Sequence, residues 1–566
     1  MSQRPAPPKG FRRERTRRSE RSVAGRKPMF DELAALDSKI VGLIKERSAH
    51  LAKIRAKGGL DSVDEKSIWS IWQKALPKTR GGAGIWRKLF FLLQDLVPED
   101  ESIDRAKDGF LLAPRKGPYA FTLNAPASLD GMQCLAALGA SAEFSITPAV
   151  VNERLVQTVK AFNQAGGGLY WETDQMAGRG ASELAFQDKS VYVGDDTLSF
   201  HLCLARALAE PGSVKFTGGH QLKTADLTEL ARLLPRLGGR LVNIIPGSKG
   251  LPVRIESAGQ LPHDALIPDT LPQEAVLGIL MAAPFYPEGL TLRSESASSE
   301  LLGTLQFAEL ILRACGIEVA LDTSGTACSI AVKPGTPVIP DTLPMDPYLT
   351  ALLLALPRLE PSRESSISLA GSWPGQTGPY RNAHTLLEAA GVQIELVGSH
   401  VRATTGPPPE GVPHLSCGGN AGLFPLSFAL AAALPESTLD LPASQEDKYT
   451  CREVADIIGL RIEEAEGVLR VSNPGSQDYS RTEPWVALNA WWAMAYACIA
   501  IRRPGLVLAD PSTATDLLPR FWNFFNTLPA PEKDVFFLPR REAEQETHEP
   551  EPKGRRIRIA GSGPRE

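Results

Sequence analysis

Five times along this chain an amphipathic helix runs into a glycine and continues directly into a short apolar strand. The segments are AFNQAGGGLYW at Gly166, ARLLPRLGGRLVNI at Gly238, ILRACGIEVAL at Gly316, LLEAAGVQIEL at Gly391 and VADIIGLRIEE at Gly459. Steps of 72, 78, 75 and 68 residues separate these glycines, too regular for unrelated connections and longer than the common solenoid repeats. A glycine at such a junction supplies the positive φ that ends a helix and turns the chain into a strand. A second strand is expected after each junction: SVYVGD, LPVRIES, CSIAVKPG, HVRATTG and GVLRVSN. The spacing predicts copies of one α/β unit, a helix packed on a small sheet with hairpin character.

With 566 residues, 43% of them hydrophobic, the chain has room for about three or four domains with sizeable cores. Its seven cysteines lie mostly among apolar neighbours without a CxxC pair, and read as buried free thiols of a reducing cytoplasm. No apolar run reaches the ~18 residues of a membrane span, since LFPLSFALAAAL is cut short by Pro435 and Glu436. No secretory segment follows the start. The expected location is therefore cytoplasmic, with no membrane partner. The net charge of −4 conceals a basic start, where residues 1–27 carry ten Lys/Arg against Glu14 and Glu20. Residues 1–28 read as a disordered basic tail with no nucleic-acid role, and residues 536–566 as a polar tail. Neither GxGxxG nor GxxxxGK[ST] occurs, GGNAGLF (418–424) lacks a P-loop lysine, and no histidine pair has metal-ligand spacing. No cofactor and no metal are expected.

Within residues 29–98, apolar side chains at Leu33, Ile40, Ile44, Leu51 and Ile54 share one helical face, and VDEKSIWSIWQKAL and IWRKLFFLLQDL supply two further helices. Arg47 lies on the apolar face, where it either snorkels to the edge or points into the bundle as an anion ligand. LAALDSKIVGLIKERSAHLAKI (33–54) resembles the first helix of the all-α chorismate mutases. That resemblance implies a three-helix domain, a homodimer through it, and Arg47 as a ligand of the chorismate dianion. Lys57 falls near the family's lysine, but the family's second-helix Asp, Arg and Glu fall near Ser62, Glu65 and Lys66. A mutase-like fold is the expectation; mutase chemistry is opposed by Glu65.

The body, 108–535, resembles the enolpyruvyl transferases, and among them the 3-phosphoshikimate 1-carboxyvinyltransferase (EPSP synthase) branch. LNAPASLDGMQCLAALGA (123–140) falls where that family has PGSKSxSxRALLLAALA, VYVGDDTLSFHLCLARAL where it has LGNAGTAMRPLAAAL, and LPQEAVLGILMAAPF (271–285) where it has SSQFLTALLMAAP. NAWWAMAYACIAIRRPGLVLADPSTATDLLPRFWNFFNTL (489–528) follows the family's DHRxAMAxAxAAL…KSFPxFFxxL. The implied fold class is α/β: a two-lobed enolpyruvyl transferase-like fold of repeated βαβαββ units, preceded by the all-α chorismate mutase-like domain. Residues 108–128 with 343–535 would form one lobe and 129–342 the other. The implied reaction transfers the enolpyruvyl group of phosphoenolpyruvate to shikimate 3-phosphate in the cleft between lobes, within the shikimate pathway of aromatic amino acid biosynthesis.

Two polyanionic substrates require several Lys/Arg donors and helix N-termini aimed at their oxygens, with an acid and a base for proton transfer. The resemblance carries over Glu446 and Lys448 as the acid and cation of KESDR, and Ser128, His201, Lys223 and Gln273 as substrate-binding positions. Elsewhere the family's charges are replaced. Its Lys-Ser pair falls at Leu129 and Asp130, its phosphate-cradling GNAGTAMR becomes GDDTLSFH with Asp195 and Asp196, its DHR becomes Asn489-Ala490-Trp491, and its late lysine becomes Asp516. Each cation lost from a dry anion site costs about 2–5 kcal/mol. His220 and Arg254 are further candidates for a rebuilt site. Three readings follow: a divergent carboxyvinyl transferase, a non-catalytic scaffold or regulator of the same fold, and a mutase with a regulatory body. The first requires three or more Lys, Arg or His side chains converging in the interlobe cleft; an acidic cleft would refute it.

Overall fold

The computed structural model describes residues 32–51, 53–54 and 109–537 apart from short interior gaps, with scattered positions between 68 and 93. Lys57, Ser62, Glu65, Lys66 and both tail segments up to residue 31 and from 538 lie outside the described residues. The head contributes helical residues 32–51 and 53–54, of which Leu33, Leu36, Ile40, Val41 and Leu43 are exposed.

The body repeats one sheet topology four times. In each copy the first strand runs parallel to the second, and the second and third flank a fourth strand antiparallel to both. Ser190–Tyr192, Pro211–Thr217, Gly239–Asn243 and Val253–Ala258 form one copy. Asp264–Leu266, Leu290–Ser294, Val319–Asp322 and Cys328–Val332 form the next. Ala120–Asn124 pairs across a long excursion with Ser366–Ala370, which joins Val392–Val397 and His400–Thr405. His414–Leu415, Glu436–Asp440, Arg461–Ala465 and Val468–Ser472 complete the set. A three-stranded sheet, Glu143–Ile146, Leu169–Glu172 and Gln175–Arg179, lacks the parallel first strand, and Phe110–Leu112 pairs only with Leu506–Leu508.

Body helices are numbered here from α1, Leu129–Leu138, through α2, Glu153–Gln164, α3, Thr197–Leu208, and the short α4, His220–Thr224, and α5, Thr228–Leu233. Then come α6, Gln273–Ala282, α7, Ser299–Ala314, α8, Pro347–Leu359, and α9, Gly378–Ala389. The series ends with α10, Phe424–Ala431, α11, Gln445–Ile458, and α12, Ala490–Arg502. Helices α1, α2, α3, α6 and α7 pack into a central assembly, and α8, α9, α10 and α12 into a flanking one. Nearly every residue of α3 and α6 is buried, because α6 is apolar on all sides and Gly278 lets the two backbones touch: a Cβ there would lie 2.7 Å from the His201 carbonyl oxygen. The chain crosses between assemblies twice, and the crossings pair through Ser128 N to Pro344 O at 2.9 Å and Asp346 N to Pro126 O at 2.8 Å.

All five junction glycines have positive φ, at 103°, 71°, 74°, 82° and 71° in chain order. At Gly238 the requirement is absolute, since a Cβ would lie 2.1 Å from the Gln260 carbonyl oxygen. The strand following the first junction is corrected, however. The hairpin partner of Leu169–Glu172 is Gln175–Arg179, whereas SVYV opens the next sheet. The two strands are joined through only two residues, Glu172 pairing with Gln175, and QMAGR has too few β-branched residues to stand out in sequence. The buried chain also continues through Val535, Phe536 and Phe537, with Phe536 against Phe524 at 5.1 Å, past the expected start of the polar tail. All seven cysteines are free and buried, as their apolar neighbourhoods imply. Among the described residues no helix is long and apolar enough to cross a membrane.

Candidate active-site cleft

A cleft of about 820 Å³ lies between the two assemblies. The N-termini of α1, α3, α4 and α8 bring their backbone N–H groups to its margin. Such ends carry positive potential and unsatisfied donors, which makes them natural anion sites. Here the chain's own carboxylates satisfy them.

Asp196 caps α3, accepting from Ser199 N at 2.7 Å and from the Ser199 hydroxyl at 2.7 Å. Asp195 accepts from Gln221 N at 2.8 Å and Leu222 N at 3.3 Å at the start of α4, and its other oxygen faces His220 Nδ1 at 3.0 Å. Gly219 allows this approach, because a Cβ there would meet the Asp195 carboxylate at 2.5 Å. Asp346 caps α8 through Tyr348 N at 3.0 Å and Leu349 N at 2.9 Å. Its second oxygen takes Leu129 N at 3.0 Å, at the start of α1.

Arg154, on the first turn of α2, is the single cation among the described lining residues. It is engaged twice, with Asp196 at 2.8 Å and Asp130 at 2.9 Å. Gln133 Nε2 adds a 2.6 Å bond to the far oxygen of Asp196. Four more carboxylates, Glu153, Glu274, Glu300 and Asp516, line the same space, bringing its total to eight against one guanidinium. Neutral groups complete the wall: Gln157, Asn420, and the edge-to-face pair Tyr348 and Trp491 with centroids 5.5 Å apart.

The titration behaviour follows from this packing. Burial opposes the charge on Arg154, but Asp130 and Asp196 outweigh it and raise its pKa, so the guanidinium stays ionised. Burial would raise Asp196, but Arg154 and the Ser199 bonds hold it below the ordinary carboxylate range. For Asp346 burial wins over three backbone donors and, with Asp130 adding repulsion, pushes the carboxyl up to about 6. Glu274 is raised by desolvation between the walls and by Asp130 and Asp196, although its side chain remains open to the cleft. Asp516 is raised by burial and by Asp510 and Glu153.

The residues singled out from sequence are only partly gathered here. Ser128 lines the cleft as the N-cap of α1, accepting from Gly131 N at 3.1 Å. Gln273 lines it at the start of α6, donating to Glu300 and accepting from the Thr304 hydroxyl at 3.2 Å. His201 sits one turn inside α3, 3% exposed, bonded to Thr197 O at 2.9 Å. Burial lowers its pKa to about 4, so at neutral pH it is no cation. Lys223, in the last turn of α4, is not a lining residue. Glu446 is exposed on α11, and Lys448 on the same helix faces Glu464 at 3.7 Å; neither lines the cleft. Arg254 lies beside Glu256 at 3.2 Å on its strand. Arg47 donates to Leu93 O in the head and lies 6.0 Å from the Trp72 ring.

Sequence reasoning missed Arg154, although a signal exists: a cation in the first turn of a helix opposes the macrodipole and needs a partner. Of the neighbouring tryptophans, Trp491 lines the cleft, while Trp485 and Trp492 are buried at 1% and 0% exposure.

The architecture is similar to that of EPSP synthase from Acinetobacter baumannii, with a TM-score of 0.58 and 17% identity, covering 72% of this chain and 96% of that one. A second structure of that protein gives 0.57 at 17% identity, over 73% of this chain and 96% of the other. The enolpyruvyl transferase NikO from Streptomyces tendae gives 0.50 at 16% identity, over 69% of this chain and 91% of that one. No protein-family profile matches the chain. At these identities the likeness defines an enolpyruvyl transferase-like α/β fold. The chorismate mutase-like reading of the head draws no support from these neighbours.

Proposed function

We propose that the chain is a divergent protein of enolpyruvyl transferase-like fold whose cleft does not join phosphoenolpyruvate to shikimate 3-phosphate, and that it acts as a scaffold or regulatory member of that fold in aromatic metabolism. The two lobes are taken as 108–128 with 343–535, and 129–342. One observation carries the reading: at the cleft the N-termini of α1, α3, α4 and α8 are already met by Asp195, Asp196 and Asp346, and Arg154, the one cation among the described lining residues, is engaged by Asp130 and Asp196. A unit negative charge brought to about 6 Å from one further carboxylate costs about 3 kcal/mol at an effective dielectric of about 20, and two multiply charged substrates would incur this repeatedly.

A second reading, carboxyvinyl transfer from a rebuilt site, is favoured by the raised carboxyls Asp346 and Glu274, which hold protons nearer neutrality as an acid and base must. Phosphate release from purified chain with both substrates, followed between pH 5.5 and 8, separates the two. No release above background supports the first reading; saturable release that needs both substrates establishes the second. Chorismate consumption, measured in parallel, tests the head, for which Arg47 would be the substrate ligand and a homodimer the assembly.

A further inference from the structure

We infer that the cleft is held shut by a glycine latch between α7 of the central assembly and α9 of the flanking one, so that closure does not depend on a ligand bridging the lobes. The inference is independent of whether transfer occurs. The two helices meet at backbone distance where Gly303 faces Gly378. A Cβ on Gly378 would lie 2.8 Å from the Gly303 carbonyl oxygen and 3.5 Å from its Cα, and Gly378 has φ of +46°. The Gly378 N–H, an orphan donor at the start of α9, is taken by Gln306 Oε1 at 2.7 Å.

A second contact lies one turn earlier on α7. Gly419, with φ of +82°, packs its Cα face on the first turn of that helix, where a Cβ would meet Glu300 Cβ and Ser299 Oγ at 3.2 Å each. The loop bearing Gly419 is itself tied to α9, because Asn382 Nδ2 donates to Gly418 O at 3.1 Å and to Asn420 Oδ1 at 2.6 Å. Helix α9 and this loop therefore form one receiving surface for α7. On another edge of the cleft, Asn152 Nδ2 donates to Leu517 O at 3.0 Å, with Asn152 4% exposed. Together with the paired crossings at Ser128 and Asp346, the assemblies are joined directly at separate points around the cleft. Opening would strip the Gly378 N–H of its partner and separate two backbones that approach this closely because Gly378 carries no side chain.

The test is an interlobe distance. The seven native cysteines are buried, so spin labels can be directed to Leu266→Cys and Leu396→Cys, two exposed positions on opposite assemblies. The latch predicts one narrow distance distribution, unchanged by millimolar phosphoenolpyruvate, and a longer, broader distribution in Gly378→Leu, whose Cβ would lie 2.8 Å from the Gly303 carbonyl oxygen. Gln306→Leu, which removes only the bond to Gly378, is expected to broaden the distribution without loss of helical circular dichroism, and serves if Gly378→Leu does not fold. A broad or two-population distribution in the unmodified background overturns the inference. So does an unchanged distribution in a folded latch variant.

Discussion

Replacing Asp196 by alanine removes the group on which the cleft wall turns. Three losses can be read from its contacts. The N-cap of α3 disappears with the 2.7 Å bond from Ser199 N, worth about 1 kcal/mol. Gln133 Nε2 loses its 2.6 Å partner in a buried position, worth about 1 kcal/mol because Thr158 and Ser199 remain within reach. Arg154 loses its 2.8 Å partner. Breaking a fully buried pair costs about 3–5 kcal/mol, but Arg154 is 32% exposed to the cleft and keeps Asp130, so about 2 kcal/mol is the reasonable share after screening. The sum is about 4 kcal/mol, with neighbouring terms not strictly additive. Asp196→Asn keeps a good cap and should cost about half as much. The assay is the urea unfolding transition of both variants against the unmodified chain, monitored by tryptophan fluorescence and circular dichroism. A loss below about 1 kcal/mol in Asp196→Ala would show that the Asp196 and Arg154 network is ornamental and would undo the electrostatic account of the wall.

Asp346 makes a signed pH prediction. Its folded pKa, up to about 6, lies above the ordinary 3.8, so its contribution is fully present below the unfolded value and is lost as pH rises through about 6, some 3 kcal/mol in all. The stability of the native chain relative to Asp346→Asn should therefore fall between pH 4 and 7; a flat difference would refute this. Gly238→Ala, forced to positive φ with its Cβ on the Gln260 carbonyl, should lose at least about 2 kcal/mol in thermal or urea unfolding. Burial raises the Cys134, Cys203 and Cys498 thiols, so a thiol reagent at pH 8 should titrate essentially none of the seven native cysteines and all of them in denaturant.

The repeat was legible because backbone geometry enforces it. Positive φ at Gly166, Gly238, Gly316, Gly391 and Gly459 leaves a mark that one sequence can show. The first hairpin was not legible, since Gln175–Arg179 is specified by a two-residue connection and burial of Met176 and Ala177 rather than by local propensity. The cleft was legible in its replaced charges: Asp130, Asp195, Asp196 and Asp516 all line it. What the chain concealed was partnership. Asp195 and Asp196 occupy the aligned phosphate-loop position, yet their use as internal caps appears only when α3 and α4 are placed beside them. His201 looked like a cation substitute until α6 covered it.

The most direct test of the central claim is calorimetric titration of the native chain with phosphoenolpyruvate at low ionic strength, with and without shikimate 3-phosphate, where screening is weakest and any anion site would be tightest. The capped helix ends and the eight lining carboxylates predict no saturable binding up to millimolar ligand. A micromolar Kd for phosphoenolpyruvate, lost when Arg154 is replaced by alanine, would contradict it and return the cleft to anion chemistry.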